Sequence, residues 1–146
     1  MQIEIKVDPS CKETKIVVVT DKVTDEINRI VKKLSDEENE LIAGARNEAI
    51  ELLDPQQIVR IYASQGKIYA KTKSGEYALR LRLYELEEKL DGKNFVRISN
   101  SELINLKKAK KFDLSFSGTI CVSLEGGEVT YVSRRYVSKI KTLLGI

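Results

Sequence analysis

Apolar and polar residues alternate at the start of the chain, where Ile3, Ile5 and Val7 are separated by Glu4 and Lys6. A period of two is that of a half-buried strand. The segment DPSCKET is turn-like, and KIVVVT after it supplies a second strand, so the spacing predicts a hairpin. The period then lengthens. Val23, Ile27, Ile30, Val31 and Leu34 recur at helical intervals, with Thr20 or Asp21 as cap, Asp25 and Glu26 early, and Lys32 and Lys33 late. An amphipathic helix of about 13 residues is expected from that spacing. One helix on one hairpin has a small core, so this ββα unit, residues 1–40, is expected to lean on the rest of the molecule or on a second copy. The acidic stretch SDEENE, residues 35–40, marks its boundary.

From residue 41 to 146 the pattern is one of short strands at close spacing: ELIAG, RNEAIELL, QIVRIYA, KIYAKT and EYALRL, with turns expected at Gly44, Ser64–Gly66 and Ser74-Gly75. A short helix, LYELEEKL, stops before Asp91-Gly92, and strands resume with FVRIS, FDLSF, TICVSL and EVTYVS. The last two join across Gly126-Gly127 as a tight hairpin, and RRYVSKIKTLL closes the chain as a helix with Val137, Ile140, Leu143 and Leu144 on one face. The fold class expected is mainly β (α+β), antiparallel sheets with short helices. No βαβ pattern and no internal repeat is visible, which argues against a nucleotide-binding sheet.

Composition narrows the chemistry. The chain has 146 residues, 42% hydrophobic and 32% charged, enough for one core and no more than a small appendage. It has no histidine, one methionine and two cysteines, Cys11 and Cys121, far apart in sequence. That removes the commonest general base and metal ligand and leaves no metal knuckle or disulfide framework. No GxSxG, Walker loop, GxGxxG or paired-acid motif is present, so neither an enzyme, a cofactor nor a small-molecule substrate is expected. No apolar run approaches a membrane span and the N-terminus is not signal-like, so a cytoplasmic protein is expected. Net charge is +3, but residues 1–40 hold 7 Lys and Arg against 10 Asp and Glu, whereas 41–146 hold 18 against 12. A basic body behind an acidic piece suits a polyanionic partner.

Four places could carry that contact. In FVRISNSELINL the polar triplet Ser99-Asn100-Ser101 divides two apolar segments, and Asn100 either caps a turn or presents its amide to adenine's N6 and N7. Lys107, Lys108, Lys110 and Lys111 follow it closely, as a solvated face or as phosphate contacts. In VSRRYVSKIK, Ser133 is a natural N-cap, which puts Arg134 and Arg135 in the first helical turn, where the macrodipole disfavours cations. Exceptions to a local rule tend to be functional, and two guanidinium groups there can hold phosphate or the O6/N7 edge of guanine. The fourth is the hairpin tip Ser64-Gln65-Gly66-Lys67, with Lys71 and Lys73 beyond it.

Taken in order and spacing, IVRIYASQGKIYAKTKSGEY, LYELEEKL, FVRISNSELINLKKAKKF and VTYVSRRYVSKIKTLL resemble the LytTR DNA-binding domain over roughly residues 41–146. Phe95, Arg97, Asn100, Ser101, Asn105 and Leu106, and the closing Val-Ser-Arg-Arg helix start, carry the likeness. The resemblance implies antiparallel sheets that set loops, not a recognition helix, into successive major grooves of promoter repeats in double-stranded DNA. By position it gives Asn100 and Arg135 as base contacts, with a third near Gly66 and Lys67, where the residue type differs from the family's. Ser101, Lys107, Lys108, Lys110, Lys111, Arg134 and Lys139 then serve as backbone contacts. The forty residues ahead are too few for a receiver domain, so the chain looks like a stand-alone regulator, expected to be a homodimer and open to control by a partner such as a membrane-protein inhibitor. The alternative is a protein-interaction module with an incidental basic surface.

Overall fold

The computed structural model describes residues 1–35 and 40–146, so the centre of the acidic boundary stretch lies outside the described residues. The chain divides into two units, Met1–Glu37 and Glu38–Ile146. In the first, helix α1 spans Asp25–Ser35, with Asp25 and Glu26 in its first turn and Lys32 and Lys33 in its last, as the helix dipole favours. Its cap is Thr24, whose Oγ1 accepts from the Ile27 N–H at 3.3 Å, and not Thr20 or Asp21. The turn expected after Val7 forms: Asp8 Oδ1 accepts from the Ser10 N–H and hydroxyl at 3.0 and 2.7 Å. The hairpin expected around it does not form, since neither flanking segment is a strand. Ile3, Ile5, Val7 and Val19 are 85–94% exposed. Their alternation has no face to bury against, and two lone strands are at best marginal in water.

The second unit is built from hairpins. Strands β1 (Ile42–Arg46) and β2 (Ala49–Leu53) pair through Asn47 and Glu48, both at positive φ (51° and 63°), the primed turn whose twist suits a two-residue loop. Gly44, expected at a turn, sits inside β1. A Cβ there would lie 2.8 Å from Leu53 Cδ1 and 2.8 Å from Tyr77 Cβ, so glycine serves close approach. Strands β3 (Ile58–Ser64) and β4 (Lys67–Thr72) turn at Gln65-Gly66, and β5 (Gly75–Leu79) follows. Helix α2 (Leu83–Lys89) leads to β6 (Phe95–Ser99) and β7 (Glu102–Asn105). Next come β8 (Ala109–Asp113), β9 (Ile120–Leu124), β10 (Val129–Val132) and the closing helix α3 (Arg134–Leu144).

All pairings are antiparallel, in a seven-stranded sheet ordered β2-β1-β5-β4-β3-β7-β6 and a three-stranded sheet ordered β10-β9-β8. Two cores result. Leu83, Leu86 and Leu90 close one with Ile42, Ile58, Ile61, Ala70, Tyr77 and Leu103. The other joins Val59, Val96, Ile98 and Ile104 to Ile120, Val122, Leu124, Val132 and Ile140. The sheet is thus packed on both faces around β7, all four of whose residues are buried. Burial on both faces erases alternation, which is why ELIN does not read as a strand. Strand β8 also begins earlier than FDLSF suggests, at Ala109, with a register shift before Lys111. It is an edge strand, where exposed lysines are tolerated. Leu143, expected on the inner face of α3, is half-exposed, and Tyr136 packs into the second core instead.

Gly44→Ala is expected to destabilise the protein by about 1–3 kcal/mol through overpacking against Leu53 and Tyr77. A fall in the urea midpoint at unchanged m-value checks this, and an unshifted midpoint would contradict it.

Candidate nucleic-acid interface

The hydrogen-bond registers bring several of the candidate residues to one end of the seven-stranded sheet. Ser64 pairs with Lys67 across the β3–β4 tip, and the Ala63 N–H donates to the Ser101 carbonyl at 2.8 Å. The tip carrying Lys67 therefore lies beside the Asn100-Ser101 turn. On its other side, the Ser133 N–H donates to the Ile98 carbonyl at 2.9 Å, which fixes the start of α3 to the end of β6. The Tyr136 hydroxyl then donates to Asn100 Oδ1 at 3.3 Å. Asn100, Lys67, Arg134 and Arg135 are all exposed.

Arg97 shapes the turn. Its Nε donates to the Ser99 carbonyl at 2.7 Å and one terminal nitrogen to the Asn100 carbonyl at 2.5 Å, while the other pairs with Glu87 of α2 at 2.8 Å. The Ser99 hydroxyl accepts from the Ser101 N–H at 3.2 Å. Asn100 is thus presented by a pinned backbone with its amide steered by Tyr136. Tyr136 escaped the sequence reading, and its one signal is its place three residues after Ser133, on the first turn of α3.

Ser133 holds the N-cap position of α3, but its side chain makes no capping bond, contrary to expectation. The guanidinium of Arg134 lies against Gly118, where a Cβ would be 2.9 Å from Nε. Arg134, Arg135 and Lys139 form no ion pair among the described residues. The lysine run behaves differently. Strand β7 carries the chain from the Asn100 turn to the far end of the sheet, where Asn105 donates to the Ile58 carbonyl at 2.9 Å and accepts from the Lys107 N–H at 3.0 Å. Nearness in sequence is therefore not nearness in space, and Lys107 and Lys108 lie one strand-length from Asn100. Lys108 pairs with Glu125 at 3.0 Å, while Lys107, Lys110 and Lys111 are exposed.

Between the two sheets lies a charged cluster that sequence reading missed. Arg60 on β3 holds Glu102 of β7 at 3.1 and 3.2 Å and reaches Glu128 at 3.3 Å; Thr130 of β10 donates to Glu102 at 2.9 Å, and Lys71 meets Glu128 at 3.0 Å. Burial pushes the Glu102 carboxyl above its usual range, with Arg60 and Thr130 offsetting part of that. Glu128 is held below the usual range, chiefly by its bond from Lys71.

The described residues contain no two consecutive helices: five strands separate α1 from α2, and five more separate α2 from α3. A β-rich domain that gathers loops and a cationic helix start at one sheet end is the class this geometry defines. The chain belongs to the family of the LytTr DNA-binding domain, whose model matches residues 48–145. It is 29% identical, over all of its length and 99% of the relative's, to an uncharacterised HTH-type transcriptional regulator of Staphylococcus aureus strain NCTC 8325. A counterpart in strain MRSA252 is 28% identical over the same share. Among solved structures, it resembles the LytTr DNA-binding domain of a protein described as a methyl-accepting/DNA response regulator from Bacillus cereus. That match has a TM-score of 0.71 at 21% identity and covers 74% of this chain and 99% of that one. The antiparallel fold expected from the sequence is thereby that of the family, and the family is not one of enzymes.

The two carboxylates of the cluster have opposite pH signatures. A carboxyl lowered on folding stabilises above its unfolded pKa and loses that effect as pH falls through the folded value; a raised one weakens the fold as pH rises through the acid range. Relative to the unsubstituted protein, Glu128→Gln should lose stability at neutral pH, with the gap closing in acid. Glu102→Gln should gain relative stability as pH rises. Urea midpoints from pH 3 to 8 check both, and parallel curves for the two variants would refute the assignment.

Proposed function

We propose that this protein is a sequence-specific transcription regulator that reads double-stranded DNA with loops set into major grooves. Asn100 and Arg135 are the base contacts and Lys67 a third at the hairpin tip. Ser101, Lys107, Lys108, Lys110, Lys111, Arg134 and Lys139 meet the backbone. The observation that carries the reading is the Tyr136–Asn100 hydrogen bond, which ties the amide to the helix turn bearing Arg135. A carbonyl oxygen has two lone pairs, so Asn100 Oδ1 can accept from Tyr136 and still accept from adenine N6, while Nδ2 donates to N7. Arg135 offers the fork that suits guanine O6 and N7. The regulators from Staphylococcus aureus bear a helix-turn-helix name, but the succession of elements here favours loop readout.

The reading makes Arg135→Lys nearly as damaging as Arg135→Ala on a duplex selected by the protein from a random library, about 1–3 kcal/mol, because charge is kept and the fork lost. Both should cost little on scrambled duplex. Gel-shift titration of the two duplexes checks this, and wild-type discrimination by the lysine variant would reduce Arg135 to a phosphate counter-charge. Failure of the intact protein to bind any duplex would favour the interaction-module alternative.

The same proposal takes residues 1–37 as a dimerisation element, because paired half-sites raise specificity and this unit exposes Ile3, Ile5, Val7 and Val19. A membrane-protein inhibitor would compete for those same side chains. Sedimentation of the intact chain should show a dimer, alone or on DNA, and Ile5→Asp should weaken it. A monomer that binds DNA one to one would end the dimer proposal.

A further inference from the structure

Several cations of the second unit that lie away from the sheet end pair with carboxylates. Arg46 pairs with Glu51, Arg60 with Glu102 and Glu128, Lys71 with Glu128, and Lys108 with Glu125. One arginine outside the four candidate places is different. Arg80 follows directly on β5, is exposed, and forms no ion pair or side-chain hydrogen bond among the described residues. Ile68 pairs with Leu79, the last residue of β5, so Arg80 leaves that strand at the same end of the sheet where β4 begins with Lys67. Two exposed cations without an ion pair among the described residues therefore lie at the sheet end that carries the Asn100 turn. Neither is relieved by an ion pair with a carboxylate, and cations left so at one sheet end favour an anionic partner.

We infer that Arg80 is a phosphate contact of the duplex, flanking the base contact proposed at Lys67, and that it sets position without reading sequence; this rests on the function proposed above. The sheet order places β4 and β3 between β5 and β7. Three strand steps of about 4.8 Å give about 14 Å between Arg80 and the Asn100 turn. With the strand order running across the groove, that exceeds the major-groove width of about 12 Å, so a base contact at Asn100 leaves Arg80 over the flanking sugar–phosphate strand and not over base edges. Arg82, two residues on, is less suited, because Glu85 accepts from its backbone N–H at 3.3 Å and brings a carboxylate beside it.

The test is the salt dependence of affinity, measured on the library-selected duplex and on its scrambled counterpart. Each phosphate neutralised contributes about 0.9 to the slope of log K against log salt. Arg80→Ala should lower the slope by about 0.9 and weaken both duplexes by the same factor, whereas Arg80→Lys should keep the slope. Circular dichroism and thermal melting confirm that the variants are folded, as the exposure of Arg80 leads one to expect. An unchanged slope in Arg80→Ala, with Arg135→Lys still losing discrimination, overturns the Arg80 assignment alone. Absence of salt-dependent duplex binding by the unsubstituted protein overturns both this inference and the reading it rests on.

Discussion

The contact between Arg60 and Glu102 holds the rest of the second unit in place. Arg60 lies on the third strand of the large sheet, Glu102 opens β7, and Thr130 and Glu128 belong to the β9–β10 hairpin of the small sheet. The carboxylate is buried and its charge is desolvated, so it is tolerable only while a guanidinium and a hydroxyl answer it. Removing one member of such a buried pair commonly costs about 3–5 kcal/mol, because the survivor is left without compensation. The cluster therefore fixes which face of one sheet meets the other. Hydrophobic packing of Val59, Ile104 and Val122 alone would leave that less specified.

From that fixed point the candidate interface follows. Glu102 is the residue after Ser101, so anchoring its side chain in the core anchors the last residue of the Asn100 turn. Arg97 anchors the first by bonding the Ser99 and Asn100 carbonyls while Glu87 of α2 holds it from behind. Two arginines thus do opposite work from the two external ones at the start of α3: Arg60 and Arg97 are consumed by structure, and Arg134 and Arg135 are left to solvent. Residue type alone does not separate these roles; the presence of an acidic partner does.

Much of this was legible in the sequence. Turn chemistry placed the hairpin tip at Gln65-Gly66 and the loop at Gly126-Gly127, and helical periodicity placed α2 and α3. What escaped detection did so for physical reasons. Strand β7 is buried on both faces and shows no alternation. Gly44 looks like a turn residue but serves a close approach to Tyr77. Residues 3–7 alternate without finding a sheet to join in their own unit. The lysine run read as a neighbour of Asn100 because adjacency along a chain takes no account of an intervening strand. Glu102 gave no signal, since its partners lie 28 to 42 residues away in sequence.

The fully enclosed β7 has a consequence for how such a protein can diversify. Its four residues each answer to a different neighbour: Glu102 to Arg60, Leu103 to the α2 side, Ile104 to the small sheet, and Asn105 to the start of β3. Little latitude remains in that strand, whereas the Asn100 side chain in the turn before it is exposed and is met by the Tyr136 hydroxyl. Freedom to vary is thus concentrated where a ligand would be met and withdrawn from the residues immediately behind. A lineage built on this frame could change what it recognises by exchanging one or two turn residues, with the sheet insulated from the exchange.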